Sequence, residues 1–280
     1  MVKKSAIIQA RVNSRRLPSK IFYNLPFDSN ITVIQQIIER SKKISNIDDV
    51  IIATDEMSYN RLANIARVEG VKIFKGNGHD VLNRFYRAAK ENGTDVIVRI
   101  TGDNPCIDSL LISTALENHI RNNTDYTKTE GYPSGLNVEV VNFSALEKAH
   151  KNVTDDYDKE HVTNYINRNP QIFKINIMKA PEELYAPDIR VTLDTEEDYA
   201  LLCSVFDYLY QKDKYFSTYD VVNLFQEKPW LKLINRKVTQ KKTFNTLEEE
   251  FEEAIKLLEF QDLKKASEFL RRTRKRVFCF

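Results

Sequence analysis

Glycine is scarce in this sequence, with only 7 residues among 280. Two common phosphate-binding patterns, GxGxxG and GxxxxGK followed by Ser or Thr, need closely spaced glycines. Neither pattern occurs, which excludes a Walker A loop and a Rossmann dinucleotide fingerprint. Cysteine is also rare, since Cys106, Cys203 and Cys279 are the only three and lie far apart. Their number and spacing favour reduced thiols over a close-spaced zinc motif.

The sequence also lacks long apolar runs and an excess of charge. No stretch approaches the roughly 18 to 20 apolar residues that span a bilayer. The 42 Lys and Arg residues nearly balance the 40 Asp and Glu residues, for a formal charge of +2. This balance does not favour nucleic acid or a membrane as the main partner. Because the start of the sequence also lacks a signal-peptide pattern, we expect a cytoplasmic protein.

The first half of the sequence alternates short apolar runs with helical patterns. Predicted strands cover residues 6–10, 50–54, 71–74 and 95–100, and predicted helices cover 32–44, 58–69 and 80–92. This alternation predicts an α/β fold with a doubly wound, mostly parallel, Rossmann-like sheet and helices on both faces.

The second half of the sequence is less regular. Its patterns predict helices at 109–122, 144–150, 158–167 and 218–227, and a helix that follows the acidic run 194–198 and ends near residue 211. Further strands are predicted at 137–141, 173–178 and 189–193. Strands and helices therefore no longer alternate simply, although the patterns remain those of a folded domain.

A helical extension is predicted at the carboxyl end of the chain. Beyond Trp230 the composition is rich in Lys, Glu and Leu, and Thr246 with Glu249 forms a capping-box pattern. We therefore divide the chain into a domain of residues 1–239 and an extension of residues 240–280. An apolar stripe between Phe251 and Leu270 predicts docking on the main domain or a second subunit, and we expect a homodimer. The basic run 271–276 is either a solvated helix end or a surface for RNA or an acidic partner.

A basic segment follows the first predicted strand. Four cations, Arg11, Arg15, Arg16 and Lys20, occur there within ten residues without an acidic residue. Ligands of open α/β sheets bind at the carboxyl ends of strands. Guanidinium groups bond phosphate oxygens in pairs, so a triphosphate is a natural ligand for this segment. The alternative is an ordinary solvated basic loop.

Two aspartates also follow predicted strands. Asp103 comes after strand 95–100, and Asp194 comes after strand 189–193. Mg²⁺ prefers one or two carboxylates together with phosphate oxygens and water, which makes the pair a candidate magnesium site. Each residue has a structural alternative: Asp103 in a Gly-Asp-Asn-Pro turn, and Asp194 as the N-cap of the next helix.

Seven sequence blocks, in this order, resemble the spore-coat polysaccharide biosynthesis protein F type of cytidylyltransferase. These enzymes are related to the CMP-KDO synthetases and, more distantly, to the CMP-sialic acid synthetases. The blocks are IIQARVNSRRLPSK (7–20), IIATD (51–55), DVLNRFYRAAK (80–90), VIVRITGDNPCID (96–108), YPSGLNVEVVNFSALEKA (132–149), EHVTNYINRNP (160–170) and RVTLDTEEDYALL (190–202). The resemblance covers about residues 5 to 235, and the extension lies outside it.

The resemblance implies a nucleotidyltransferase sheet and a role for each matching residue. It implies catalytic cations that grip the phosphates at Arg11, Arg16 and Lys20, and Mg²⁺ ligands at Asp103 and Asp194. It implies nucleotide-binding positions at Ala10, Ser14, Ala53, Thr54 and Thr101. It implies an acceptor wall at Tyr132, Asn137, Glu139 and His161. Taken without the resemblance, His161 could be purely structural, and Glu139 could face solvent.

The sequence departs from the family pattern at three positions. The family usually has Asp where Ser134 and Asn137 stand, and Gly where Ser19 stands. The loss of two carboxylates makes the acceptor wall less negative and removes candidate general bases. The identity of the acceptor is therefore open.

The implied reaction joins CTP to an acceptor, releases pyrophosphate and yields a CMP-sugar, with a sugar acid or related surface-glycan precursor as acceptor. One alternative is transfer from CTP or GTP to a sugar phosphate or another phosphorylated small molecule. Another is a non-catalytic nucleotide-binding subunit, which we expect to lack Lys20, Asp103 or Asp194, whereas this sequence has all three. A third is a nucleic-acid binder that works through the extension.

Overall fold

A computed structural model describes residues 2–14, 16–238 and 246–278 of the chain. The chain divides into two compact units, Met1–Val238 and Thr239–Phe280. Two residues considered above, Arg15 and Cys279, lie outside the described residues.

The first half of the chain carries the regular α/β pattern, with four strands that alternate with helices. The first half of the chain contains β1 (Lys4–Gln9), α1 (Val33–Lys42), β2 (Asp49–Asp55), α2 (Glu56–Glu69), β3 (Lys72–Gly76), α3 (Val81–Asn92), β4 (Val96–Thr101) and α4 (Ser109–Asn122). Local signals set the helix ends: the Asp80 side chain accepts a hydrogen bond from the Asn83 amide, 2.7 Å away, and Gly93 ends α3 at φ 62°. The predicted alternation is confirmed here.

The second half of the first unit adds three strands and several helices. These are β5 (Tyr126–Glu130), β6 (Glu139–Asn142), α5 (Phe143–Asn152), α6 (Asp156–Glu160), α7 (Asn164–Arg168), β7 (Ile175–Lys179), α8 (Glu196–Leu209), α9 (Thr218–Glu227) and α10 (Lys232–Asn235). Within the described residues, seven strands form one sheet in the order β3-β2-β1-β4-β6-β5-β7. Strand β6 runs antiparallel to both β4 and β5, and the other pairings are parallel. The expected doubly wound, mostly parallel sheet is confirmed.

Two packed layers cover the sheet because side chains alternate along its strands. In β1, Ala6 and Ile8 belong to one buried cluster, whereas Ile7 belongs to the other. In β4, Val98 lies in the first cluster and Ile97 in the second. This period of two places helices on both faces, as predicted.

Two predicted elements are wrong. Residues 189–193 form no strand, because their hydrogen bonds go to loops: the Ser134 amide donates to the Ile189 carbonyl, and the Leu193 amide donates to the Asp103 carbonyl, both at 2.8 Å. The segment forms only an isolated parallel bridge with Ser134. The single helix predicted over 158–167 is two short helices, α6 and α7, separated by His161–Thr163.

The second unit contains α11 (Leu247–Phe260) and α12 (Lys264–Phe278). The Thr246 side chain accepts a hydrogen bond from the Glu249 amide at 3.2 Å, so the predicted N-cap is present. Part of the basic run is paired within the unit, since Arg274 lies 2.6 Å from Glu252. Across the described residues, no helix combines the length and apolar character needed to cross a membrane.

Candidate active site

Lys20 lies between the two aspartates that the sequence singles out. Its Nζ donates to Asp103 Oδ2 and to Asp194 Oδ1, each at 2.9 Å, and also to the Leu193 carbonyl. The Lys20 side chain is only 9% exposed. Because both carboxylate oxygens contact one ammonium group, the aspartates converge on a single point, although only Asp103 follows a strand.

The backbone of the basic segment holds Lys20 in place. Ser19 has φ 56°, a left-handed conformation, and its amide donates to the Val12 carbonyl at 3.0 Å. One turn of 3-10 helix follows at Lys20–Phe22, with Ile21 buried in the core. Since this conformation favours glycine, it explains why the family pattern has glycine at this position.

Asp103 is brought to Lys20 by a close approach of two strand ends. The Gly102 amide donates to the Gln9 carbonyl at 2.8 Å, and a Cβ at position 102 would lie only 2.8 Å from the same oxygen. The turn after β4 is closed by Asn104, whose side-chain amide donates to Thr101 Oγ1 at 2.7 Å. The Asp103 carboxylate therefore contacts Lys20 instead of closing its own turn.

Asp194 does not cap the helix that follows it. The N-cap of α8 is Thr195, which forms a capping box with Asp198. The carboxylate of Asp194 instead contacts Lys20, Arg16 at 2.9 Å and Arg190 at 2.8 Å. Burial alone would raise the pKa of Asp194, but the charge and hydrogen bond of Lys20, with those of Arg190 and Arg16, lower it to about 2.

Arg190 is itself fixed by a buried carboxylate. Its Nε donates to Asp198 Oδ1 at 2.9 Å, and its Nη2 donates to Asp198 Oδ2 at 3.0 Å. Asp198 is fully buried and also accepts a hydrogen bond from the Asn235 side chain at 2.9 Å. The site thus combines three cations with three carboxylates, namely Arg16, Lys20, Arg190, Asp103, Asp194 and Asp198.

A cavity of about 240 Å³ lies beside Asp103 at the carboxyl end of β4. Its polar lining is contributed by Arg99, Thr101, Asp103, Asn104, Ser134, Asn137, Glu139 and Thr192. Its apolar lining includes Ile100, Ile107, Ile112, Leu136 and Val138. Gly135, at φ 102°, lets the cavity wall approach the Val191 carbonyl, which a Cβ at position 135 would meet at 2.8 Å.

Glu139 is held by three donors at the edge of this cavity. Arg99 and Tyr126 both donate to its carboxylate, and Thr163 Oγ1 donates at 2.6 Å. Arg99 also donates to Gln9 Oε1 at 3.1 Å. Burial would raise the pKa of Glu139, but the charge of Arg99 and these hydrogen bonds lower it below its ordinary value. Glu139 therefore faces the cavity region and not open solvent.

The remaining predicted site residues lie outside this cavity lining. Arg11 lies 3.9 Å from Glu160, and the ring of His161 packs against Tyr157 at 4.4 Å. Tyr132 is buried in the core, where burial raises its pKa. Three further residues occupy strand ends or the turn after β1, and they are Ala10, Ser14 and Ala53. Thr54 is fully buried, and its hydroxyl has no hydrogen-bond partner among the described residues.

Several residues of the site were not predicted. Arg190 stands four residues before Asp194. That spacing indicates contact only within a helix, and this segment is extended, so the sequence alone does not predict the pair. Arg99 was missed because its partner Glu139 lies directly opposite it only when β6 is antiparallel to β4. Asn104 and Thr192 carry no sequence signal for a cavity by themselves, whereas Ser134 falls in the acceptor wall that the resemblance implies.

The paired aspartates suit a hard divalent cation. Carboxylate oxygens are the protein ligands that Mg²⁺ prefers, and it completes its shell with phosphate oxygens and water. Among the described residues, no group of three or more His, Cys, Asp and Glu side chains is arranged to hold a metal. An ion at Asp103 and Asp194 therefore needs further ligands from a bound substrate or water.

Cations and two convergent carboxylates at the carboxyl end of a mostly parallel sheet suit a phosphate ligand together with a divalent cation. The family model described as Cytidylyltransferase matches residues 5–269 of the chain. The chain belongs to the cytidylyltransferase family and is a nucleotidyltransferase. The match continues past residue 235, so our expectation that the extension lies wholly outside the family pattern is wrong.

Individual proteins agree with this assignment. An uncharacterized protein of Methanocaldococcus jannaschii is 39% identical over 246 residues, which cover 86% of this chain and 97% of that protein. Spore coat polysaccharide biosynthesis protein SpsF of Bacillus subtilis is 32% identical over 209 residues, covering 74% and 85%. A solved structure of a cytidylyltransferase from Leptospira borgpetersenii has a TM-score of 0.76 at 29% identity, covering 88% of this chain and all of that one.

Proposed function

We propose that this enzyme transfers the cytidylyl group of CTP to an oxygen of a sugar acid or a related surface-glycan precursor, with Mg²⁺, and releases pyrophosphate. Its family supports CTP-dependent transfer to a sugar-type substrate. The observation that carries the proposal is the convergence of Lys20, Asp103 and Asp194 at the carboxyl end of the sheet. These groups suit a triphosphate and its metal together.

In the proposed reaction, the acceptor oxygen forms a bond to the α-phosphorus and the bond to the bridging oxygen of pyrophosphate breaks. Asp103 and Asp194 would hold Mg²⁺, which would polarise the phosphate oxygens. Arg16 and Lys20, with Arg11, orient the triphosphate and neutralise the charge that develops on pyrophosphate. Losing one such preorganised donor typically costs about 2.7 to 4 kcal/mol of transition-state stabilisation.

The cavity beside Asp103 is the proposed acceptor site. Hydroxyl and amide side chains at Ser134, Asn137 and Thr192 suit the hydroxyls of a sugar, and the isoleucines of the same lining suit its apolar ring face. The structure gives Tyr132 and His161 no place in this lining. We therefore assign acceptor binding to Asn137 and Glu139. Acceptor binding by Tyr132 and His161 stays a prediction.

One observation favours a second acceptor class. Glu139 has a lowered pKa and three hydrogen-bond donors, so it is a weak general base. A sugar hydroxyl needs a base to take its proton, whereas a phosphate oxygen is already ionised. Transfer to a sugar phosphate or another phosphorylated molecule, from CTP or GTP, is therefore the alternative reaction.

Pyrophosphate release tests the proposal directly. The purified protein is incubated with Mg²⁺, each of the four nucleoside triphosphates, and a panel of sugar acids and sugar phosphates. We expect release with CTP and an acid acceptor, while release only with a phosphorylated acceptor supports the alternative. If no acceptor in the panel gives pyrophosphate release with any nucleoside triphosphate, both the proposed reaction and the alternative are contradicted.

A double variant tests the assigned metal ligands. We expect Asp103→Ala with Asp194→Ala to abolish release, because the paired carboxylates are lost. The matched control is Asp188→Ala, which removes an exposed carboxylate that pairs with Lys232 at 2.6 Å. Activity that survives in the double variant would contradict the metal assignment.

The homodimer and the cytoplasmic location stay predictions. Light scattering coupled to size-exclusion chromatography tests the first, with the chain shortened at residue 239 as the comparison. If the apolar stripe of the extension forms the dimer, the shortened chain elutes as a monomer.

A further inference from the structure

Lys20 occupies the point on which the two aspartates converge. Its ammonium group has three protons, and the structure provides three acceptors: Asp103 Oδ2, Asp194 Oδ1 and the Leu193 carbonyl. The side chain is 9% exposed, so water contributes little to its solvation. All three protons of the ammonium group are therefore bonded. A divalent cation at the same point would need the same carboxylate oxygens.

The charges of the site are balanced with Lys20 in this position. Three cations, Arg16, Lys20 and Arg190, face three carboxylates, Asp103, Asp194 and Asp198. A divalent cation that entered beside Lys20 would compete for the same oxygens and would add two positive charges to a neutral cluster. Repulsion between close charges in a half-buried site is strong, so both cations cannot occupy the point together.

We propose that Lys20 is an internal counter-ion that blocks the metal site until the nucleotide arrives. The inference rests on the proposed function. The triphosphate draws the ammonium group away from Asp103 and Asp194 and supplies negative charge that balances the incoming cation. The metal and the nucleotide then bind together, and the nucleotide-free protein binds the metal weakly.

The surrounding contacts allow this exchange without disturbing the carboxylates. Arg190 is bonded to buried Asp198 and lies 2.8 Å from Asp194, and neither contact involves Lys20. Lysine carries its charge on a flexible four-carbon stem, so its ammonium group can move while its backbone stays fixed. Arg190, by contrast, is held in place by its two hydrogen bonds to Asp198.

Manganese binding to the nucleotide-free protein tests the proposal. Mn²⁺ replaces Mg²⁺ as the probe because the free ion is quantified by electron paramagnetic resonance. We expect weak binding to the wild-type protein and an affinity at least about tenfold higher in Lys20→Met, because two carboxylates lose their counter-ion. Adding Asp103→Asn to Lys20→Met should return the affinity to the wild-type level.

The matched control is Lys72→Met. Lys72 lies 2.8 Å from Asp49, a carboxylate at the opposite end of the strands that is also 3.0 Å from Lys3. Replacing Lys72 removes the ionic partner of one aspartate, whereas replacing Lys20 removes the ionic partner of a pair of carboxylates. We expect no change in manganese affinity for this variant.

The outcomes separate the counter-ion proposal from the proposed function. Equal manganese affinity in the wild-type protein and in Lys20→Met overturns the counter-ion role, even if the wild-type protein releases pyrophosphate from CTP. If Lys20→Met does not fold by circular dichroism, Lys20→Gln replaces it. If neither variant folds, manganese binding to the wild-type protein is the test. Tight manganese binding without nucleotide, lost in Asp103→Asn, overturns the proposal. Weak manganese binding that CTP strengthens supports it.

Discussion

Replacing Asp194 by asparagine removes the charge that three cations share. The pKa of Asp194 is lowered from 3.8 to about 2 by Lys20, Arg190 and Arg16, which outweigh the effect of burial. A difference of about 1.8 between the two pKa values corresponds to about 2 kcal/mol of folding free energy at neutral pH. We expect Asp194→Asn to lower the free energy of unfolding by about this amount at pH 7.

The pH dependence of this loss identifies its cause. Because the pKa is lower in the folded protein, Asp194 stabilises the fold above its ordinary pKa of 3.8, and this contribution disappears as the pH falls towards 2. The difference between the wild-type protein and Asp194→Asn should therefore be constant from pH 7 to about 5. It should shrink to about 1 kcal/mol at pH 3.

Urea unfolding at a series of pH values, with a chelator and without nucleotide, measures this difference. The control is Asp188→Asn, since Asp188 is an exposed partner of Lys232 and such surface pairs contribute at most about 1 kcal/mol. A loss for Asp194→Asn that is as large at pH 3 as at pH 7 would refute the reasoning. Such a loss would come from the shape or hydrogen bonds of the side chain and not from its charge.

Three further substitutions have definite expected outcomes. Ser19→Gly should raise the free energy of unfolding in urea by about 0.5 to 1 kcal/mol, because glycine tolerates φ 56° better than serine. Gly135→Ala should lower it by about 2 kcal/mol or more, since its Cβ would meet the Val191 carbonyl at 2.8 Å and φ is 102°. Glu139→Gln should reduce kcat/KM for the acceptor by about tenfold but leave the KM for CTP unchanged, because Arg99 loses its ionic partner in the cavity.

The regular part of the fold could be predicted because its signals are local. Strand β2 is an apolar run, and α3 begins at Asp80 and ends at Gly93. Each of these features depends on residues within one turn or one strand. Strand β5 was missed because its Thr-Lys-Thr centre is polar: Thr127 is buried through a hydrogen bond with His119 at 2.9 Å, a partner on α4.

The site was predictable only where the fold imposes a rule. Parallel strands end at the same edge of a sheet, which placed Lys20 and Asp103 together. No such rule sets the direction of β6. Arg99 and Glu139 lie opposite each other because β6 runs antiparallel to β4. The pairing of Arg190 with Asp198 likewise requires the extended path of residues 190–195, which hydrogen bonds to loop residues determine.

A chain with a formal charge of only +2 does not need a generally basic surface to bind a triphosphate. Arg16 and Lys20, the cations that we propose bind phosphate, pair with Asp194 and Asp103. In our proposal, an anion without a metal draws Lys20 and Arg16 away from the carboxylates, so that Asp103 loses the contact with Lys20 and Asp194 keeps the contact with Arg190. A metal without an anion must displace Lys20. In the complex of both, the carboxylates face the metal and the cations face the phosphates, so we infer that the arrangement selects a metal-nucleotide over either component alone.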